Sequence, residues 1–221
     1  MKHYLLGLLP GVTLISSCAT NVDIDADDTT QFTTLETSFP LEDDRLRLRL
    51  QATRVDGSFS QQLDYGEYVR LDDASVSGPD ELDGDLDLNY YSIAIGGIQG
   101  SGDSFRTETY YGISQTNFDL NVGNDTRRFE VSDETVEFYL QFGIYAAISE
   151  SADFGFSWAL SLGRELSGIS EINLLLEYEV AEHLKLTGGY RWFEYNYDSG
   201  NEDSNIVVDF KGPFLGLQVP F

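Results

Sequence analysis

The chain has 221 residues, enough for one domain or a barrel of modest size, and no stretch beyond Ile15 approaches the ~20 apolar residues of a membrane-crossing helix. Its 38 acidic residues against 13 basic ones give a net charge of -25, the wrong sign for holding a phosphate backbone, so a nucleic-acid partner is excluded. One cysteine, Cys18, excludes an internal disulfide.

Met1 to Ile15 has a basic start at Lys2 and then an apolar run too short to span a bilayer, which reads as an export signal over residues 1–18. Two cleavage sites fit. Ile15-Ser16-Ser17-Cys18 has lipobox character and would leave Cys18 lipidated; small residues around Ala19 would instead place the cut after it, with Cys18 lost. Residues 19–44 are rich in Asp, Glu, Thr and Ser with few large apolar residues, which predicts an acidic, disordered lead-in. Asp23-Ile24-Asp25-Ala26-Asp27 lacks the turn glycine and distal glutamate of a calcium loop, so a solvated linker is the better reading.

From Arg45 onward the pattern has period two. Leu46, Leu48, Leu50 and Ala52 alternate with Arg45, Arg47, Arg49 and Gln51. A polar stretch, 55–85, reads as one long loop in which Tyr65 to Leu71 could add a hairpin. Further strands are predicted at 86–96, 105–118, 135–148, 154–162, 172–180, 184–197 and 205–221, separated by turn residues. The strand 135–148 is the cleanest, with Val136, Phe138, Leu140, Phe142, Ile144, Ala146 and Ile148 on one face. The strand 105–118 alternates least well.

The count is eight. Links alternate between short ones (97–104, 149–153, 182–183) and a second set (55–85, 119–131, 167–171, 198–204) that includes two long ones. That asymmetry is characteristic of transmembrane barrels. The faces opposite the apolar ones carry Gly155, Ser157, Ala159 and Ser161 on one strand and charges on others. In a soluble ligand-binding barrel the apolar face would point inward; in a membrane barrel it points out. The bareness of the small-residue face favours the second arrangement. Arg47, Arg49, Lys185 and Arg191 would then pair with Glu137, Glu177 and Glu179 inside, because unpaired charges there are costly.

The final strand has Leu215, Leu217, Val219 and Phe221 on one face. This ending resembles the closing strand of bacterial outer-membrane barrels, and 45–221 as a whole resembles the small eight-stranded outer-membrane family typified by the transmembrane domain of outer membrane protein A. The resemblance implies that the terminal strand is an assembly signal read by the barrel assembly machinery. It also implies that outer-membrane lipid and lipopolysaccharide are partners.

The predicted fold is thus all-β: an eight-stranded antiparallel up-and-down transmembrane barrel of the Gram-negative outer membrane, monomeric, with both termini periplasmic. The expected function is non-catalytic: a structural or surface-interaction role with a charge-plugged lumen and acidic external loops, which could hold divalent cations against lipopolysaccharide phosphates. A small pore for small solutes is the alternative. A lipid-modifying enzyme fits less well, because such chemistry needs a base beside a nucleophile at the outer face. His3 lies in the leader and His183 in a predicted periplasmic turn. No cofactor, catalytic or metal motif is present.

Overall fold

The computed structural model describes residues 20–25, 30–41, 45–65, 68–71, 74–101, 104–163, 168–198 and 204–220, and among these no helix occurs. The strands are β1 (Thr20–Asp25), β2 (Gln31–Pro40), β3 (Leu46–Leu63), β4 (Tyr68–Leu71), β5 (Ala74–Ser77), β6 (Asp80–Ser101), β7 (Phe105–Gly123), β8 (Arg128–Ser149), β9 (Ala152–Leu162), β10 (Gly168–Ala181), β11 (Leu184–Asp198) and β12 (Ser204–Pro220). β4 and β5 form a separate hairpin in the link between β3 and β6.

The main sheet runs β2-β3-β6-β7-β8-β9-β10-β11-β12, each strand antiparallel to the next, and closes through β12 onto β2. The closed barrel therefore has nine strands, not the eight expected. The additional strand is β2, within the stretch read as a disordered lead-in. Its neighbours set its place: Leu35 lies opposite Ala52 of β3 and opposite Leu217 of β12. An odd number of alternating strands leaves the first and last running the same way, so β12 and β2 pair in parallel. β1 continues the same line, pairing in parallel with Ser204 to Asp209 at the start of β12.

Two other boundaries also differ from expectation. The stretches 55–85 and 119–131, read as loops, are largely strand. β3 and β6 remain in register from Leu46↔Gly97 to Leu63↔Asp80, and β7 and β8 up to Gly123↔Arg128. In these upper halves apolar residues still share one face, as in Leu82, Leu86 and Leu88 or Val55, Phe59 and Leu63, but Gly57, Gln61 and Gly84 interrupt the line and polar residues between make the whole look like loop. The lower end of the barrel has the short links 102–104, 150–151 and 182–183, and β12 finishes there. Gly97, near that end, has φ of +144°, and a Cβ on it would lie 2.0 Å from the carbonyl oxygen of Arg45, so only glycine suits the β6 bulge there.

The nine-strand closure is directly testable. The full chain is expected to run as a compact, heat-modifiable form on unheated electrophoresis, and a chain trimmed to 45–221, which retains all eight strands read from the sequence, should lose it. Retention of that form by the trimmed chain would show β2 to be dispensable.

Candidate functional site

Inward and outward positions alternate along every barrel strand, but what fills them changes partway up. On the lower part of β3 the outward residues are Leu46, Leu48 and Leu50, and Arg49, Gln51 and Thr53 are buried inside. Further up the same strand Arg54, Asp56 and Ser58 are exposed, while Val55, Phe59 and Leu63 are buried. β6 repeats this in reverse chain order: Asp83 and Asp85 outside Leu82, Leu86 and Leu88, then Tyr91, Ile93 and Ile95 outside Ser92 and Ala94. The barrel thus has two tiers. The lower has an apolar exterior and a polar interior; the upper has an acidic exterior and an apolar interior.

The lower exterior continues round the barrel through Ile113, Val136, Phe142, Phe156, Trp158, Leu174, Leu176, Trp192, Leu215 and Leu217, all well exposed, with Val136 and Leu215 each at 67%. The interior holds three arginine clusters. Nearest the short-link end, Arg106 reaches Glu108 at 2.8 Å, Glu177 at 2.5 Å and Asp153, and its guanidinium lies 4.1 Å over the Tyr145 ring. Lys185 Nζ adds to this group at 3.9 Å from Glu177. Next, Arg49 donates to the Tyr139 hydroxyl at 2.5 Å and to Gln141, stacks 4.0 Å over Tyr110, and stands 3.9 Å from Glu36. Above it Arg191 donates to Asn173 at 2.7 Å and to Thr34 at 3.2 Å, pairs with Glu171 at 3.3 Å, and lies 4.5 Å over Phe214. Arg49 and Arg191 are each 2% exposed, so these cations are held by carboxylates, hydroxyls and ring faces rather than by water.

Small residues make room for these groups. A Cβ on Gly155 would come within 2.6 Å of the Tyr145 ring and one on Gly143 within 2.7 Å. Ser161 meets the Tyr90 hydroxyl at 3.1 Å and Ser114 at 2.9 Å. Among the described residues the lower lumen holds a cavity of about 50 Å³ lined by residues including Arg49, Glu171, Asn173 and Arg191.

Of the residues singled out in the sequence, Arg49, Arg191, Glu137 and Glu177 are buried inside, and Lys185 joins Glu177. Arg47 is half-buried and forms no ion pair among the described residues. Glu179 is exposed, opposite Lys185 on the neighbouring strand. Glu137 meets Thr116 at 3.4 Å and Thr135 at 3.2 Å rather than a cation. Leu215 and Leu217 face outward; Cys18 and Phe221 lie outside the described residues. Sequence reasoning missed Arg106, Glu36, Glu108, Asp153 and Glu171. His183 sits exposed in the β10–β11 turn. Among the described residues no group of three His, Cys, Asp or Glu is placed to hold a metal ion.

The upper interior is packed by rings. Phe118 and Tyr195 have centroids 4.7 Å apart, and Phe193 lies 6.0 Å from Phe210 and 6.3 Å from Phe32. Tyr195 donates to Asp133 at 2.8 Å, and burial, with the Asp133 carboxylate, pushes its phenol well above the ordinary range. Comparison with protein-family models, curated proteins and solved structures finds no match to this chain.

The Arg191–Glu171 pair gives a measurable expectation. Arg191→Met leaves the Glu171 carboxylate buried beside an uncharged thioether and should cost about 3–5 kcal/mol in urea unfolding. Arg191→Met with Glu171→Met should recover most of that loss. Equal losses in the single and double variants would show that the ion pair is not what the site depends on.

Proposed function

We propose that this chain is an integral outer-membrane β-barrel with a closed lumen, serving a non-catalytic structural or surface role and presenting its acidic upper tier to the outside. One observation carries the reading: an unbroken outward apolar band surrounds a lower interior packed with ion pairs. From Val136 to Ile148 a tilted strand rises roughly 28–32 Å, enough to cross the apolar band of a transmembrane barrel, about 25 Å. Water offers no reason to wrap a charged interior in exposed Leu, Phe and Trp, whereas hydrocarbon does.

The short links and the finish of β12 belong on the periplasmic side, as in barrels with longer external links. β1 runs parallel to β12, so Thr20 then falls on the outer side. The two ends of the described chain lie across the membrane from one another, in place of the shared periplasmic side that an even strand count would give.

A lumen cavity of about 50 Å³ holds one or two waters and offers no path for a solute. The apolar packing of Phe118, Phe193, Tyr195 and Phe210 closes the upper tier as well. This supports the plugged barrel over the pore. Planar-bilayer recording of the purified protein should show no steady conductance. A large steady conductance of the unaltered protein would replace this reading with the pore.

Membrane placement has its own test. The chain has two tryptophans, Trp158 and Trp192, both outward-facing. Trp158 lies well inside the apolar band and Trp192 at its upper limit, next to the polar Glu194 two residues on. In vesicles of lipid brominated deep in the acyl chain, the Trp192→Phe variant, which keeps Trp158, should be quenched more than the Trp158→Phe variant. Absence of quenching in both would remove the membrane from the picture.

A further inference from the structure

Above the apolar band, β8 loses one of its neighbours. Its register with β7 is unbroken from Phe105↔Ala146 to Gly123↔Arg128. Its register with β9 stops at Phe138↔Leu162, where β9 ends. β10 starts at Gly168 and is committed to β9 and β11. From Arg128 to Val136, therefore, one side of β8 has no strand beside it among the described residues. Over about 27 Å the backbone N–H and C=O groups of every second residue face outward along that side.

Open edges of this length are normally blunted by proline, by a bulge, by a covering loop or by charged side chains, and among the described residues this edge carries only charge, at Arg128, Glu130, Asp133 and Glu134. The segment 128–136 contains neither proline nor glycine, and its pairing with β7 has no bulge. On the β7 side of the same stretch, over the paired strands and not along the open side, lies a groove of about 300 Å³ lined by Asn117, Phe118 and Asp119 of β7 and their partners Ser132, Asp133 and Glu134 of β8. On its outer face the edge presents Glu130, Ser132 and Glu134, all exposed; on its inner face are half-buried Phe129 and buried Val131. On the inner side of this stretch Asp133 accepts a hydrogen bond from the Tyr195 hydroxyl of β11 at 2.8 Å.

A second copy in the same membrane does not suit this edge. Two barrels of like orientation would bring their β8 edges together crossing at about twice the strand tilt of 35–45°, so the strands could not lie side by side. What suits it is an extended segment of another protein, with Lys or Arg at alternate positions opposite Glu130 and Glu134 and β-branched or aromatic residues between them beside Phe129 and Val131. We infer that the upper edge of β8, Arg128 to Val136, is a strand-addition site for an extended, basic polypeptide segment. The edge and groove are features of the fold; only their outward-facing placement rests on the membrane reading.

The test uses the full chain in lipid nanodiscs and fluorescein-labelled nine-residue peptides of alternating Lys and Val. The expected result is saturable binding by fluorescence anisotropy. Binding should fall at least tenfold for the same peptide N-methylated on the amides of one alternate set, and stay within about twofold for the other set. It should also fall at least tenfold for Glu130→Lys with Glu134→Lys, both surface changes that leave the core intact. No binding up to millimolar peptide, or equal loss for both N-methylated sets, would overturn the proposal, the second outcome showing attraction by charge alone. Deep-brominated lipid in the same nanodiscs keeps the two readings separate. A sample whose Trp158 is quenched but whose edge takes no peptide loses the docking site and keeps the membrane placement; the reverse result does the opposite.

Discussion

The structure depends on the seam between β2 and β12. On the proposed placement the apolar outer face has no water beside it to satisfy a free edge, so the first and last strands have to meet. Here they meet in parallel, Phe214 to Pro220 alongside Phe32 to Ser38. Parallel bonds are slanted and slightly weaker per residue than antiparallel ones, but β2 contributes more than backbone. Its inward residues supply Glu36 to Arg49, Thr34 and the Phe32 ring to Arg191, and the same Phe32 to the stack with Phe193. Without β2 the sheet would have open edges at β3 and β12, and Arg49 would lose the carboxylate that balances it.

A second consequence concerns the strands that run through both tiers. The side-chain parity of β3 does not change between Thr53 and Val55, nor that of β7 between Thr116 and Phe118; each pair points inward. What changes is the polarity of that inward line, and the outward line changes in the opposite sense at the same level. A regular strand can do this without a bulge because backbone geometry is indifferent to the identity of the side chains it carries. On the proposed placement the reversal marks the level at which the outside changes from lipid to water. Below it, polar groups are cheapest inside and paired; above it, apolar rings are cheapest inside and packed.

Much of this was legible in the sequence, and the failures have physical causes. β8, β9 and β10 could be read from Val136 to Val180 because one face is strongly apolar and the other is not. β2 could not, because Thr33, Thr34, Thr37 and Ser38 occupy both faces and leave little contrast; the β-branched threonines and the spacing of Leu35 and Phe39 were the only signal. The upper halves of β3 and β6 failed for a different reason. Their alternation is interrupted by Gly57, Gln61 and Gly84, and in β6 the acids between Leu82, Leu86 and Leu88 resemble a solvated loop. The presence of lumen charges was foreseeable from residues such as Arg49 and Glu177, which stand opposite apolar faces. Their partners were not, since Arg106 with Glu177 and Arg49 with Tyr139 are contacts across or around the barrel and no sequence spacing encodes them.

On the proposed placement, the rule that forces closure below also accounts for the open side of β8 above, among the described residues. In hydrocarbon an unpaired peptide group costs several kcal/mol, and every lower strand has a neighbour on each side. In water the group is solvated and a missing neighbour costs little. β9 and β10 turn back near Leu162 and Gly168, and the edge of β8 that this exposes starts where its outward residues change from Val136 to Glu134, Ser132 and Glu130. The free edge and the polar exterior begin within two residues of each other. An edge lost through an irregular loop would have no reason to respect that level, whereas one bounded by the limit of the hydrocarbon would. The gap in the wall is therefore another mark of the level that the apolar band defines.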